Sequence, residues 1–320
     1  MLLVSPRWLK NRGILGMNRR NVDVISRRNP RSLYPLVDDK LKTKRLAEQY
    51  GVAVPVLKGV ISYQFEVKSL RKALGLSRQF VIKPAQGSGG KGILVIVDRD
   101  KGRYIKSSGS DLSIRDVERH VSNILSGLYS LGGRPDVAMI ETLVVFDQHL
   151  ARFSYEGVPD IRVIIYRGYP VMAMIRCATH VSDGKANLHQ GAVGVGLDLA
   201  SGRSLQAVQN GRPVAVHPDT LESFAGLEVP HWIGILHLAA RCFEMTGMGY
   251  IGVDIVIDHH RGPLILELNA RPGLAIQIAN QRGLVHRLEA VDAVCGRHET
   301  PEERVEFSRL AFGSDPGSAT

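Results

Sequence analysis

Cysteine is scarce in this 320-residue chain: three residues, Cys177, Cys242 and Cys295, widely spaced and odd in number. They offer neither a disulfide framework nor metal-ligand spacing, so each reads as a small buried hydrophobe in a reducing compartment. Aromatic residues are also few, at 6%. They do not interleave with basic residues as base stacking requires, and no nucleic-acid module is recognisable. No apolar run approaches the roughly 18 residues that span a bilayer. The opening MLLVSPRWLK is too short an apolar stretch for a secretory signal. A cytoplasmic protein is expected. Acidic residues are outnumbered, 31 against 41 basic. The excess is concentrated in residues 1–35, where Arg7, Lys10, Arg12, Arg19, Arg20, Arg27, Arg28 and Arg31 face Asp23 alone. Such an arm suits an anionic surface, or an acidic patch of its own protein or of a partner.

What is present is core-building material. The chain is 44% hydrophobic and 22% charged, enough for one large or two ordinary domains. Residues 1–35 read as irregular, because Gly13, Gly16, Asn29-Pro30 and Pro35 interrupt any long helix. A helix is expected from Val37 to Tyr50, capped by Asp38 or Asp39 and stopped by Gly51. Strands follow at 80–83 and 93–97, and a helix at 111–131 with Ile114, Val117, Val121, Ile124 and Leu128 at helical spacing. Strands are read at 137–145, 161–166 and 170–176, and a strand-prone region from Gly191 to Val216. Helices are read at 231–246, 274–281 and 301–311, and the last eight residues as a loose tail. The order implies α+β with two lobes.

The segment GYIGVDIVIDHHRGPLILELNARPG, Gly249 to Gly273, reads as two apolar strands around a four-residue turn. If Asp258 pairs with Pro263, Asp254 lies opposite Glu267, and opposed residues share a face. Asn269 shares that face because side chains alternate along a strand. Val253, Ile255, Ile257, Leu264, Leu266 and Leu268 fill the other face. Opposed carboxylates destabilise a bare sheet, and a hard divalent cation with oxygen ligands reverses that penalty. The alternative is a solvated polar face on an ordinary hairpin, although Glu and Asn are poor strand formers.

A second feature is the loop after the strand Phe80–Lys83: Pro84, Ala85, Gln86, Gly87, Ser88, Gly89, Gly90, Lys91, Gly92. Glycine lets backbone approach a ligand closely and aim N–H groups at phosphate oxygens. Gly87, Gly89 and Gly92 fit G-x-G-x-x-G, but that fingerprint opens a helix and a strand follows here. A Walker A loop fails because Gly92 follows Lys91. A kinase loop fails because Lys83 precedes the glycines. The plain alternative is a mobile hairpin turn.

A strand lysine, a glycine flap between strands and a distant D…E-x-N hairpin together resemble the ATP-grasp superfamily. Within it the chain is similar to the alpha-L-glutamate ligases and the related proteins associated with sugar-transfer genes, over about residues 36 to 283. The resemblance implies an α+β, ATP-grasp fold with two lobes sandwiching ATP. It implies an N-terminal lobe at 36–138, a C-terminal lobe at 139–285, a C-terminal helix and tail at 286–320, and the basic arm 1–35 where an α/β domain usually precedes. Lys40, with Lys44, would reach the nucleotide phosphates from the opening helix. Lys83 would contact the α and β phosphates rather than form a structural ion pair. Gly87, Ser88, Gly89, Gly90 and Gly92 would be the flap. Glu141, Thr142 and Leu143 would read adenine through backbone groups, and Asp160 would meet the ribose. Arg162 and Arg176 would face the reacting carboxylate and the acyl phosphate. Lys185 and Asn187 would touch the nucleotide from the second lobe. His189, Arg271 and Gly273 would lie near the substrate. Asp254, Glu267 and Asn269 would be magnesium ligands.

The expected function is an ATP- and Mg²⁺-dependent carboxylate–amine ligase, with Mn²⁺ as a substitute and glutamate as the family-level substrate. Its partners would be small-molecule or peptide carboxylates and amines. A second subunit or a partner protein would complete the acceptor site. Alternatives are a non-catalytic nucleotide-binding scaffold and an ATP-grasp phosphotransferase. The basic arm is expected to be dispensable for ATP binding. Phe146, His149, Phe153 and Tyr155, between Glu141 and Asp160, read as a specificity loop or as surface padding.

Overall fold

The computed structural model describes residues 5–87, 89–297 and 299–314. Its chain divides into two compact units. The smaller takes Asp38–Glu48 and Val54–Val145. The larger takes the described residues among Met1–Val37, Gln49–Ala53 and Phe146–Thr320.

The smaller unit is built on six strands: β1 (Leu57–Ile61), β2 (Phe80–Pro84), β3 (Leu94–Asp100), β4 (Arg103–Lys106), β5 (Asp111–Leu112) and β6 (Ala138–Glu141), in the order β1-β6-β2-β3-β4-β5. Each pairing is antiparallel. The helix Ile114–Leu125 lays Val117, Val121 and Ile124 into a core with Phe80, Ile82 and Ile96. It is shorter than the expected 111–131. Ser113 and Asp116 cap its start reciprocally, and Gly127 takes a left-handed φ of 83° just past its end. The helix Lys40–Gln49 starts as expected, with Asp39 Oδ1 accepting from the N–H groups of Leu41 and Lys42.

Seven strands form the larger unit's sheet: β7 (Asp160–Tyr166), β8 (Tyr169–Cys177), β9 (Val193–Leu197), β10 (Ser204–Gln209), β11 (Arg212–Val214), β12 (Tyr250–Asp258) and β13 (Gly262–Asn269). Their order is β11-β10-β9-β8-β7-β12-β13. Every residue of β8 and β12 is buried, because helices cover the sheet. Trp232–Ala240, Val285–Val294 and Pro301–Phe312 all pack on it. Cys177 and Cys242 are buried free thiols, as the small-hydrophobe reading expects, and Cys295 is half-buried.

The units divide the chain differently from the expected boundaries. The change falls at 145/146 rather than 138/139, because β6 is hydrogen-bonded between β1 and β2. Residues 286–314 are part of the larger unit. Arg287 Nη1 donates to Val171 O at 2.6 Å and its Nη2 to Phe312 O at 3.0 Å. The segment expected to be irregular is a chain of short helical turns: Pro6–Asn11, Met17–Arg19, a π turn Arg20–Ile25, Ser26–Arg28 and Arg31–Leu33. Glycine and Asn-Pro limit the length of each turn but do not prevent it. Leu15, Val24 and Ile25 are buried, so the arm is part of this unit's core. The 141–160 insertion is not padding throughout: Phe153 is fully buried and stacks on Phe224.

Candidate active site

On the smaller unit, β2 and β3 pair antiparallel and the glycine loop spans them. The strand expected after the loop is therefore present, where a dinucleotide fingerprint needs a helix. Gly89, Gly90 and Gly92 take left-handed φ values of 63°, 75° and 76°. A Cβ on Gly92 would also lie 2.5 Å from the Tyr129 ring. Ser88 lies outside the described residues. Lys40 Nζ, expected at the phosphates, donates to Gly87 O at 2.6 Å and ties the opening helix to the loop.

Lys83 departs from expectation. Its ammonium sits 2.8 Å from Glu141 Oε2, and Lys44 Nζ lies 2.6 Å from the other oxygen. All three side chains are buried. Burial lowers the Lys44 pKa even against the Glu141 charge. The expectation that Lys83 avoids a structural ion pair is thus overturned. Glu141 holds both lysines through its side chain, while its backbone sits between β1 and β2. Thr142 N donates to Val56 O at 3.0 Å and its Oγ1 accepts from Val56 N at 3.1 Å. That N–H of the expected adenine-reading stretch is therefore committed to the neighbouring segment. Leu143 follows, half-buried, beyond the strand.

On the larger unit, β12 and β13 place Asp254 opposite Glu267 and Gly252 opposite Asn269. The register is the expected one, but the route differs. Asp258 pairs with Gly262, leaving a three-residue turn, and a bulge between Asp254 and Ile255 then restores the offset. The shorter turn puts Leu264 opposite Val256, onto the face of Asp254, and Ile265 opposite Ile255, before the bulge. Leu264 is buried there regardless.

The neighbouring strand brings a cation to this face. Arg162 on β7 pairs in register with Asp254. Its Nε and Nη2 donate to Asp254 Oδ1 and Oδ2 at 2.7 and 2.6 Å. Arg176, opposite Asp160 on β8, donates to Asp160 Oδ1 and Oδ2 at 2.5 Å each and to Asp254 Oδ2 at 2.8 Å. Asn269 Nδ2 adds a bond to Asp254 Oδ2 at 3.1 Å. Burial pushes the Asp254 carboxyl up, but the two guanidinium charges outweigh it and hold the group at about 2. Burial lifts the Asp160 carboxyl to about 6 against the pull of Arg176, and the Asp254 charge adds to the lift. Asp160, expected at the ribose, has both oxygens accepting from Arg176.

The remaining expected residues are more exposed. Lys185 Nζ pairs with Asp183 at 2.9 Å, and Asn187 Oδ1 accepts from His189 N at 3.0 Å, closing a 3₁₀ turn. His189 Nε2 lies 4.0 Å from where a Cβ on Gly273 would sit. The Arg271 guanidinium stacks 5.1 Å from the Tyr34 ring centroid, and Arg20 Nη1 donates to Pro272 O at 2.9 Å. The basic arm thus reaches the segment after the hairpin.

Two supports of the flap escaped sequence reasoning. Asp136 accepts from Gln86 N at 3.1 and 3.0 Å and from Ser130 Oγ at 2.7 Å. His120 Nε2 bonds Gly92 O at 2.9 Å. Asn29, buried in the arm, also escaped it. None carries a spacing signal, because each acts on backbone remote in sequence. Among the described residues no three His, Cys, Asp or Glu side chains gather to hold a metal ion. The Asp254, Glu267 and Asn269 set offers two carboxylates and one carboxamide, oxygen donors of the kind Mg²⁺ takes.

A glycine loop on one antiparallel sheet and a carboxylate face on another mark an ATP-grasp protein. More closely, residues 19–293 match the model of the sugar-transfer associated ATP-grasp family, and the chain belongs to that family. A probable alpha-L-glutamate ligase of Parasynechococcus marenigrum (strain WH8102) is 24% identical over 236 residues, covering 74% of this chain and 36% of that protein. A second, from Maridesulfovibrio salexigens, is 23% identical over 236 residues, covering 74% of this chain and 56% of that protein. The chain therefore spans well under two thirds of either relative. A solved RimK domain ATP-grasp protein from Sphaerobacter thermophilus aligns with 15% identity and a TM-score of 0.44, covering 84% of this chain and 72% of that one. No helix among the described residues is long and apolar enough to cross a membrane.

Proposed function

We propose that this protein joins a carboxylate to an amine at the expense of ATP, through an acyl phosphate. Family membership supports the ATP-dependent part. The observation that carries the ligase reading is the convergence of Arg162 and Arg176 on the face that also holds Asp254, Glu267 and Asn269. Anion-binding forks beside a carboxylate set suit a reaction in which one carboxylate must be held against a polyphosphate.

In the proposed reaction a carboxylate oxygen of the substrate attacks the γ-phosphorus. The bond to the ADP oxygen breaks, and an acyl phosphate forms. The amine nitrogen then attacks the carbonyl carbon, phosphate leaves with the C–O electron pair, and the amine loses a proton. The chain's contribution is positioning and charge neutralisation. Lys40 and Lys83 would hold phosphate oxygens, with Lys83 held in place by Glu141, and the glycine loop would offer its N–H groups. Arg162 and Arg176 would orient the reacting carboxylate and take up charge on the acyl phosphate. Asp254, Glu267 and Asn269 would hold Mg²⁺, which when bound neutralises phosphate charge. Glu141, Thr142 and Leu143 would lie along adenine, and Lys185, Asn187, His189, Arg271 and Gly273 would contact nucleotide and substrate. Glutamate is the first amino acid to test, from the description of both relatives. The test is a screen of amino acids and peptides for ADP release with Mg·ATP, followed by mass analysis. A new amide with stoichiometric ADP supports the reading. A phosphorylated product without an amide, or no ADP with any pair, overturns it.

A further inference from the structure

Asp254, assigned to a cation, already accepts four N–H donors. Oδ1 accepts one N–H, from Arg162 at 2.7 Å. Oδ2 accepts three, from Arg162 at 2.6 Å, Arg176 at 2.8 Å and Asn269 at 3.1 Å. A carboxylate offers about four lone-pair positions, two per oxygen, so Oδ2 is fully taken. Asn269, the third oxygen donor expected at the metal, turns its amide nitrogen rather than its oxygen to Asp254, an orientation assigned from this bonding. Most of the lone pairs that Asp254 could offer a cation are used by the arginines and the carboxamide, and Oδ1 keeps one.

The two arginines are not equivalent. Arg176 has a second carboxylate, Asp160, bound through both nitrogens at 2.5 Å. Both bonds that Arg162 makes to a side chain go to Asp254. We propose that Arg162 competes with the divalent cation for Asp254, so that the cation enters the hairpin together with an anion able to take over Arg162. The proposal rests on the hairpin being the metal site. A cation alone must draw Asp254 away from a buried guanidinium whose hydrogen-bonded carboxylate it is, and a buried charge that loses its partner is strongly unfavourable. A nucleotide polyphosphate, or the substrate carboxylate, supplies that anion. Metal and nucleotide binding are then coupled, each strengthening the other by the same factor.

The test is Mn²⁺ binding to the full chain, read by electron paramagnetic resonance, without nucleotide and with ADP. Wild-type protein should bind Mn²⁺ weakly alone and more tightly with ADP. Arg162→Met removes the competitor, leaves Arg176 on Asp254, and should tighten nucleotide-free Mn²⁺ binding roughly tenfold, the low end for close charge pairs. The gain from ADP should shrink in the variant. Arg162→Lys keeps the charge without the fork and should tighten Mn²⁺ binding less; it serves if the Met variant does not fold by circular dichroism. Unchanged or weaker nucleotide-free Mn²⁺ binding in a folded Arg162 variant overturns the competition. Glu267→Gln is the separate control. If it keeps full Mn²⁺ binding with ADP, the hairpin is not the metal site, and the proposed function loses its support there.

Discussion

Asn29 and Tyr250 bond to each other in both directions. Asn29 Oδ1 accepts from Tyr250 N at 2.9 Å, and Asn29 Nδ2 donates to Tyr250 O at 2.7 Å. The same Nδ2 reaches Ala270 O, at 3.3 Å, one residue past Asn269. One carboxamide of the basic arm therefore fastens the start of β12 to the end of β13. Leu15 adds a second clasp, its N–H donating to Gln277 Oε1 at 2.8 Å and its C=O accepting from Gln277 Nε2 at 3.1 Å.

The arm is therefore bonded into the larger unit, and removing it should affect that unit's folding as well as the acceptor site. Asn29→Ala strands buried backbone groups of Tyr250 and Ala270 and should cost about 3 kcal/mol, in line with one or two unsatisfied buried groups. Urea denaturation measures it. A chain lacking residues 1–32 should fail to fold the larger unit. A soluble, fully folded truncation with an unchanged Mg·ATP thermal shift would show the arm to be a passive attachment.

The buried Lys44–Glu141–Lys83 triad separates stability from binding. Glu141→Gln leaves two buried ammonium groups without their carboxylate and should cost about 3–5 kcal/mol, the range for breaking a buried pair. Lys83→Met leaves Glu141 with Lys44 and should cost less. Its larger effect should be on ATP affinity, with adenosine affinity much less changed. Calorimetric titration of both ligands decides it. Equal losses for both would place Lys83 in the scaffold alone.

Glu267→Gln removes one charge opposite Asp254. Arg162 and Arg176 already balance Asp254, so little repulsion is left to relieve. Stability should change by less than about 0.5 kcal/mol, as for a half-exposed site. The thermal shift induced by Mg·ATP should be lost. A variant retaining the full shift would remove Glu267 from the metal set.

His120 links the flap to pH. Burial lowers its pKa below 6.5, and its bond to Gly92 O only partly opposes this. Nε2 donates to that carbonyl in either protonation state, and it is burial that favours the neutral ring in the fold. A base with a depressed folded pKa stabilises the fold above its unfolded pKa, and that contribution is lost as pH falls from there through the folded value. The protection of the flap amides, taken relative to intrinsic exchange at each pH, should therefore fall below about pH 6.5, the ordinary histidine pKa. His120→Gln should flatten this dependence. The same pH response in both proteins would assign the effect to another group.

Local alternation made much of this protein legible from sequence. Apolar periods gave β7, β8, β12 and β13, and Asp39 with Gly51 marked the helix Lys40–Gln49. Glycines between strand-forming runs located the flap, since few other residues tolerate φ near 70° at three positions. Asp254 and Glu267 could be paired because they lie thirteen residues apart on one hairpin. Even so, a shorter turn and a bulge compensated for each other, which no composition reveals. The helix Val285–Val294 went unread because Arg287 within it is buried and the polar residues do not form one clean face.

Sequence by itself determined the residue types, the strands that carry them and the order in which the phosphate, anion and metal candidates come. Only the tertiary structure decided who neutralises whom. Arg162 is 92 residues from Asp254, Lys44 is 97 from Glu141, and Asn29 is 221 from Tyr250. Such partners meet when β7 is laid beside β12, when β6 is inserted between β1 and β2, and when the arm closes on the hairpin. A charge acts through a few ångströms of low-dielectric interior, and chain distance does not enter Coulomb's law. Local patterning therefore supplied the reactive groups, while strand order in the sheets set their charge balance.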